Sequence, residues 1–216
     1  VTPAEVDVWS ERCEAFVRRR MAGDPAHDPA HVRRVVAWAR RLAEAEGARL
    51  GVVVPAAWLH DVVTVAKDSP DRKRASQIAA AEASRWLRAQ SFPEADIPEV
   101  AHAVEAHSFT AGIEPRTIEA EVVQDADRLD ALGAIGLARM YAMSAVFGSQ
   151  IVHPDDPVPT DPPRRELDDK RWATDHLFVK LLRLPETMRT EAGRAEAERR
   201  ADFLRAFLRQ LTSEVG

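Results

Sequence analysis

The dipeptide His60-Asp61 lies inside an otherwise apolar segment, Val52-Val53-Val54-Pro55-Ala56-Ala57-Trp58-Leu59-His60-Asp61-Val62-Val63. An imidazole and a carboxylate are costly to bury side by side unless each finds a partner. A metal ion satisfies both groups with one charge. Two more residues of the right chemistry flank the pair. His31 lies upstream, and Asp127 lies downstream within Val122-Val123-Gln124-Asp125-Ala126-Asp127-Arg128-Leu129-Asp130. Two neutral imidazoles and two carboxylates suit Mn²⁺, Fe²⁺, Co²⁺, Ni²⁺ or Zn²⁺, and suit Mg²⁺ less well. Such a set leaves octahedral positions open for water and a substrate oxygen. The chemistry on offer is acidification of water and polarisation of a phosphoryl group.

Phosphate chemistry also needs cations near the metal. Lys67 follows Asp61 by six positions, within reach of a bound phosphate, with an ordinary surface lysine as the alternative. Arg128 adjoins Asp127 but projects about 100° away on an ideal helix, so a structural ion pair is its alternative role. Lys180 and Arg183 are three apart, and His176 is four before Lys180, so they share a helix face that could close over a polyphosphate. Charged pairs on a late helix are also ordinary solvent-facing residues. His102 and His107 fall between the His-Asp pair and Asp127. Their five-residue separation suits a shared face poorly, which favours one metal and leaves His107 to donate to phosphate or act as a general acid. His27, four before His31, either supports it or is a solvent residue at a helix start.

The elements that must position these residues read as helices almost throughout. The chain has only 9 glycines, and alternating apolar-polar runs of strand length are scarce. Thr2-Pro3-Ala4-Glu5 is a capping box that opens a helix running to about Ala22, where Gly23-Asp24-Pro25 breaks it. Asp28-Pro29 opens a second helix that ends near Gly47. Along it His31, Val35, Trp38 and Leu42 recur at helical spacing, so His31 belongs to the apolar stripe. A third helix, about 55–66, is apolar on nearly every side and therefore central. It is expected to carry His60 and Asp61. Further helices are expected at about 71–90 and 98–107, and from Thr117 onward through Asp125, Asp127 and Asp130. That last one continues over about 131–147 after a bend near Gly133 or Gly136. Five prolines between 148 and 163 exclude a helix interior there. A loop of this length is either a lid over substrate or a linker. Helices at about 168–183 and 191–211, parted by Pro185, complete an all-α chain. The simplest parse is one domain over 1–216, with a core at about 25–147 and a C-terminal helical extension.

Composition removes several classes of function. The 216 residues are 45% hydrophobic and 30% charged, as expected of a soluble globular protein. No apolar run approaches the roughly 20 residues that a membrane span requires. The first 20 residues are charged and lack the apolar core of a signal peptide, so a cytoplasmic location is expected. A net charge of −5 argues against a dedicated nucleic-acid binder. A single cysteine, Cys13, excludes an internal disulfide framework and any multi-cysteine zinc site. It reads as a small core residue. Exposed apolar helix faces leave a homodimer open.

His31, His60-Asp61 and Asp127 together resemble the signature of the HD-domain superfamily of metal-dependent phosphohydrolases. More closely, the chain resembles a bacterial subgroup that includes nucleotide pyrophosphohydrolases. The strings that carry this are His27-Asp28-Pro29-Ala30-His31-Val32, Leu59-His60-Asp61-Val62, Glu105-Ala106-His107-Ser108-Phe109, Asp125 to Gly136, and His176 to Leu181. The likeness spans about 25–210. It implies a helical HD-domain core with one metal held by His31, His60, Asp61 and Asp127. Asp127 is the better match than Asp125 or Asp130 because it precedes Arg-Leu. Asp130 would then orient a ligand or a water, and Asp125 would cap or ion-pair at the surface. The expected activity is hydrolysis of a nucleotide or related phosphate compound, with nucleoside triphosphate cleaved to monophosphate and pyrophosphate. The base is Asp61, Asp130 or no side chain at all. The alternatives are a 5′-nucleotidase or phosphodiesterase on the same metal, a non-catalytic helical module that senses a nucleotide, and a structural protein in which His60-Asp61 is a buried polar pair.

Overall fold

The computed structural model describes residues 1–21, 29–63, 65, 69–160 and 162–215. Among these residues the regular elements are all helical, so the all-α expectation holds. The chain divides into two compact units, residues 1–127 and 128–216.

The first unit is organised around an apolar helix. Its elements are α1 (Pro3–Met21), α2 (Pro29–Glu46), α3 (Leu50–Leu59), a 3₁₀ turn (Pro70–Arg74), α4 (Ala75–Ala89), α5 (Ile97–Ala106) and α6 (Ile118–Leu129), whose last two residues belong to the second unit. The capping box that opens α1 forms as expected. The Thr2 amide donates to Glu5 Oε2 at 2.7 Å, and the Glu5 amide donates to Thr2 Oγ1 at 3.4 Å. Every residue of α3 from Gly51 to Leu59 is buried, and the helix packs against α1, α2 and α5. Trp58 Nε1 donates to Ser10 Oγ at 2.8 Å, so the one polar atom of this large side chain has a partner. Cys13 is a buried core residue beside α3's neighbours, as read from its spacing.

The third helix is displaced from its expected bounds. It begins at Leu50 and runs through Pro55, ending at Leu59 with His60 as its C-cap and Asp61 in the following turn. Proline removes one helical hydrogen bond, which suggested a start at Pro55. Two features outweigh that loss. The Arg49 amide at the N-cap is satisfied by Glu119 Oε1 at 3.2 Å, and Gly51 to Val54, ahead of the proline, are all buried in the helix.

The second unit contains α7 (Gly133–Val146), α8 (Asp175–Val179), a 3₁₀ turn (Leu181–Thr187) and α9 (Glu191–Val215). α9 packs on α7 and on the 3₁₀ turn. The bend expected near Gly133 or Gly136 is the break between α6 and α7. Gly133 adopts φ +69°, and a Cβ on Gly136 would lie 2.1 Å from the Ala131 carbonyl oxygen. The long helix expected over 168–183 is replaced by turns, the short α8 and the 3₁₀ segment. Local polar side chains compete for the backbone there. Asp168 Oδ1 accepts from the amides of Lys170 and Arg171, and the buried Asp175 carboxylate takes both Arg165 guanidinium nitrogens at 2.7 Å. The proline-rich stretch is irregular, as expected, and Gln150 bridges to the Trp172 segment by Gln150 N to Arg171 O at 2.9 Å.

Candidate metal centre

Four elements of the first unit bring five side chains together. His31 stands in the first turn of α2, His60 and Asp61 at the end of α3, His107 at the C-cap of α5, and Asp127 on α6. His60 is fully buried, and its Nδ1 lies 2.8 Å from the Ala57 carbonyl oxygen. A carbonyl only accepts, so Nδ1 carries the proton and Nε2 presents its lone pair. Nε2 is buried and has no hydrogen-bond partner. Burial holds the His60 pKa below its ordinary value against the pull of the Asp61 carboxylate, which keeps that lone pair available. A buried acceptor aimed at carboxylates is unfavourable by itself and favourable around a cation.

The spacing fits that reading. His60 Nε2 is 3.5 Å from Asp61 Oδ2 and 3.8 Å from Asp127 Oδ1. His31 Nε2 is 3.4 Å from Asp127 Oδ1 and 4.0 Å from Asp61 Oδ2. Ligand atoms sharing one ion at bond lengths of about 2.0–2.2 Å stand roughly 3.0–3.5 Å apart. Small rotations of the carboxylates close the difference. The ligand atoms of His31, His60 and Asp127 lie within 4.8 Å of one another, and so do those of His60, Asp61 and His107.

His107 repeats the His60 device. Its Nδ1 lies 2.6 Å from the Val104 carbonyl oxygen, which turns Nε2 toward Asp61 Oδ1 at 3.6 Å. Burial opposes charge on this ring, but the Asp61 carboxylate outweighs it and raises the His107 pKa. The two aspartates are held below the usual carboxylate range. Burial pushes each up, and the surrounding imidazoles outweigh it, His60 foremost for Asp61 and His31 foremost for Asp127. Exposure grades across the cluster. The His60 side chain is 0% exposed, Asp127 28% and Asp61 44%, so the histidines form the closed wall and Asp61 the side open to solvent.

The remaining candidates fall elsewhere. His102 is buried, and its Nε2 accepts from the Arg116 amide at 2.9 Å, so it ties the loop after α5. Asp125 is fully buried, which corrects the expectation of a surface role. The reason is that α6 is covered without interruption from Val122 to Ala126. Asp130 lies just past α6, buried, with its carboxylate paired to Arg139. Arg128 donates to the Thr187 carbonyl. Lys180 is the C-cap of α8, Arg183 belongs to the 3₁₀ turn, and His176 Nδ1 meets Asp169 Oδ2 at 2.8 Å. His27 and Lys67 lie outside the described residues. Sequence reasoning missed Gln124, which is buried and donates through Nε2 to the Ala106 carbonyl at 2.6 Å, anchoring the turn that presents His107. The signal was an amide inside the apolar run Val122-Val123-Gln124.

Comparisons with known proteins point to one family. The HD domain family model matches residues 30–132, a span that takes in all five side chains. The uncharacterized protein YpgQ of Bacillus subtilis (strain 168) is 34% identical over 193 residues, which cover 88% of this chain and 84% of the relative. The crystal structure of YpgQ in complex with ADP aligns with a TM-score of 0.76 and 32% identity, over 97% of this chain and 96% of that one. An HD-superfamily hydrolase from Bacillus thuringiensis aligns with a TM-score of 0.75 and 32% identity, over 97% of both chains. Among the described residues no single helix is long and apolar enough to cross a membrane. The family match over the very segment that carries His31, His60-Asp61 and Asp127, together with likeness over nearly the whole chain, places this protein in the HD-domain superfamily of metal-dependent phosphohydrolases.

Proposed function

We propose that this chain hydrolyses a nucleotide, and that its reaction cleaves a nucleoside triphosphate to the monophosphate and pyrophosphate. The observation that carries the hydrolytic reading is the buried, unpartnered Nε2 of His60 aimed at the Asp61 and Asp127 carboxylates. The nucleotide is taken from the ADP complex of YpgQ. His31, His60, Asp61 and Asp127 are the ligands in this reading, for one Mn²⁺, Fe²⁺, Co²⁺, Ni²⁺ or Zn²⁺ ion. When bound, the ion supplies Lewis acidity, which acidifies water and polarises a phosphoryl oxygen.

The protein's own groups do the rest. The Ala57 carbonyl fixes the His60 tautomer, and the Val104 carbonyl does the same for His107. The Asp61 carboxylate raises the His107 pKa, and in its protonated form His107 carries a second proton on Nε2 that it can donate to a phosphate oxygen of the substrate. In this reading Asp61 serves as a ligand, since the neighbouring imidazoles that hold its carboxyl below the usual range make it a poor proton acceptor. The Asp130 carboxylate is engaged by Arg139, so we assign it to holding the turn after α6. Lys67, Lys180 and Arg183 remain phosphate-binding candidates, whereas Arg128 serves the Thr187 carbonyl.

Metal analysis and hydrolysis of a phosphate panel on one preparation test the proposal, with His60→Ala and Asp127→Ala beside wild type. About one metal per chain is expected, with nucleotide hydrolysis lost in both variants. Release of pyrophosphate identifies the bond cut. Release of orthophosphate from monophosphates points to a 5′-nucleotidase, and turnover of diesters to a phosphodiesterase. A metal-loaded protein inert on the whole panel would sink the enzymatic reading in favour of a nucleotide sensor.

A further inference from the structure

The first unit contains a cavity of about 480 Å³, a size ordinary for small-ligand sites. Its cationic lining comes from three separate elements, Arg20 of α1, Arg74 at the end of the 3₁₀ turn and Arg85 of α4, with Gln77 and Glu82 as the other polar residues. Its floor is apolar, with Val62, Val63 and Ile78. Glu82 is ion-paired with both Arg20 and Arg85, so one carboxylate fixes two guanidiniums and leaves them with net positive charge. Among the described residues Arg74 has a loose pairing, with Asp71 at 3.7 Å. A chain of net charge −5 has no general reason to gather three arginines around one concavity. The guanidinium fork matches phosphate oxygens in pairs, which a lysine cluster would not.

None of the five clustered side chains lines the cavity, but one of its walls continues the chain from the cluster. Val62 and Val63 directly follow Asp61, so this wall begins one or two Cα steps, of about 3.8 Å each, from a ligand residue. We propose that this cavity is the subsite for the polyphosphate portion of the substrate, with Arg74 and Arg85 as its anion-binding residues and Arg20 as their support. The proposal rests on the nucleotide reading above and specifies which residues recognise the phosphates away from the bond cut.

The test is calorimetric titration of inorganic tripolyphosphate and of ADP into the full chain as purified. It compares wild type, the Arg74→Ala/Arg85→Ala double variant, Arg74→Gln alone and His60→Ala, with circular dichroism confirming the fold. The double variant is expected to bind tripolyphosphate about ten-fold or more weakly. Its KM for nucleoside triphosphate should rise by a similar factor while kcat holds. His60→Ala should keep tripolyphosphate binding. Arg74→Gln replaces an exposed side chain, so it reads the same effect in smaller measure should the double variant not fold. Unchanged tripolyphosphate affinity in the arginine variants overturns the subsite, and does so whether or not nucleotides are hydrolysed. Loss of that affinity in a protein that hydrolyses no nucleotide overturns the nucleotidase reading and leaves the subsite standing.

Discussion

Two histidines of the cluster owe their chemistry to the main chain. Ala57 and Val104 contribute carbonyls that set which ring nitrogen carries the proton, and any residue can contribute a carbonyl. For that reason the donor types were readable in the sequence, whereas the tautomers were not. His31, His60, Asp61 and Asp127 stand out because such residues rarely interrupt apolar runs. Arg20, Arg74 and Arg85 do not stand out, because surface arginines are common and only folding brings these together. Substitution separates the aspartates. Asp127→Asn should lower metal content and activity together, whereas Asp130→Asn should retain the metal. The second variant leaves Arg139 without its carboxylate and should lose about 1–3 kcal/mol of stability by denaturant titration. An Asp130→Asn protein of normal stability but without metal would reverse that assignment.

Helix existence was legible from periodicity, and helix ends were set by partners distant in the chain. α3 starts at Leu50 because Glu119, 70 residues away, satisfies the Arg49 amide and also takes its Nε at 3.1 Å. No local pattern announces such a cap. Burial works against the Glu119 charge, but the backbone and side-chain donors of the site outweigh it and lower its pKa from 4.5. A lowered folded-state value means that the anion stabilises the fold above the unfolded pKa. That contribution disappears as pH falls through the folded value. Glu119→Gln should therefore cost about 1–2 kcal/mol at pH 7, and the difference from wild type should begin to shrink only below the unfolded-state value of about 4.3 and vanish once pH has fallen through the lower folded-state one. A constant difference from neutral to acid pH would contradict this account. The α6–α7 break is firmer. Gly136→Ala forces a methyl against the Ala131 carbonyl, a backbone atom that cannot swing aside. It should cost about 1–3 kcal/mol or more, read as a fall in denaturation midpoint.

At the scale of the molecule, the fold class followed from the scarcity of glycine and of alternating runs. The failure of the 168–183 helix shows the limit of that inference, because the side chains of Asp168 and Asp175 accept from the backbone amides of Lys170 and Asp168 that a helix would use. A chain of net charge −5 that binds a polyanion must do so through local cations. On the proposed nucleotide reading, affinity for ADP should weaken as sodium chloride rises from about 50 to 500 mM, over which the Debye length shortens several-fold. Insensitivity to salt would count against the arginine cavity.

The graded exposure of the cluster has a kinetic side. A cage sealed on all sides would trade its ion only when the fold opened, at the rate of unfolding. Here the carboxylates sit at the rim while His60 closes the back, so the residues that would hold an ion are open to solvent on the Asp61 side. Exchange should then run far faster than global unfolding. A chelator should strip the protein while it remains folded, and the ion found at work should follow the supply of the surroundings in which the chain was made.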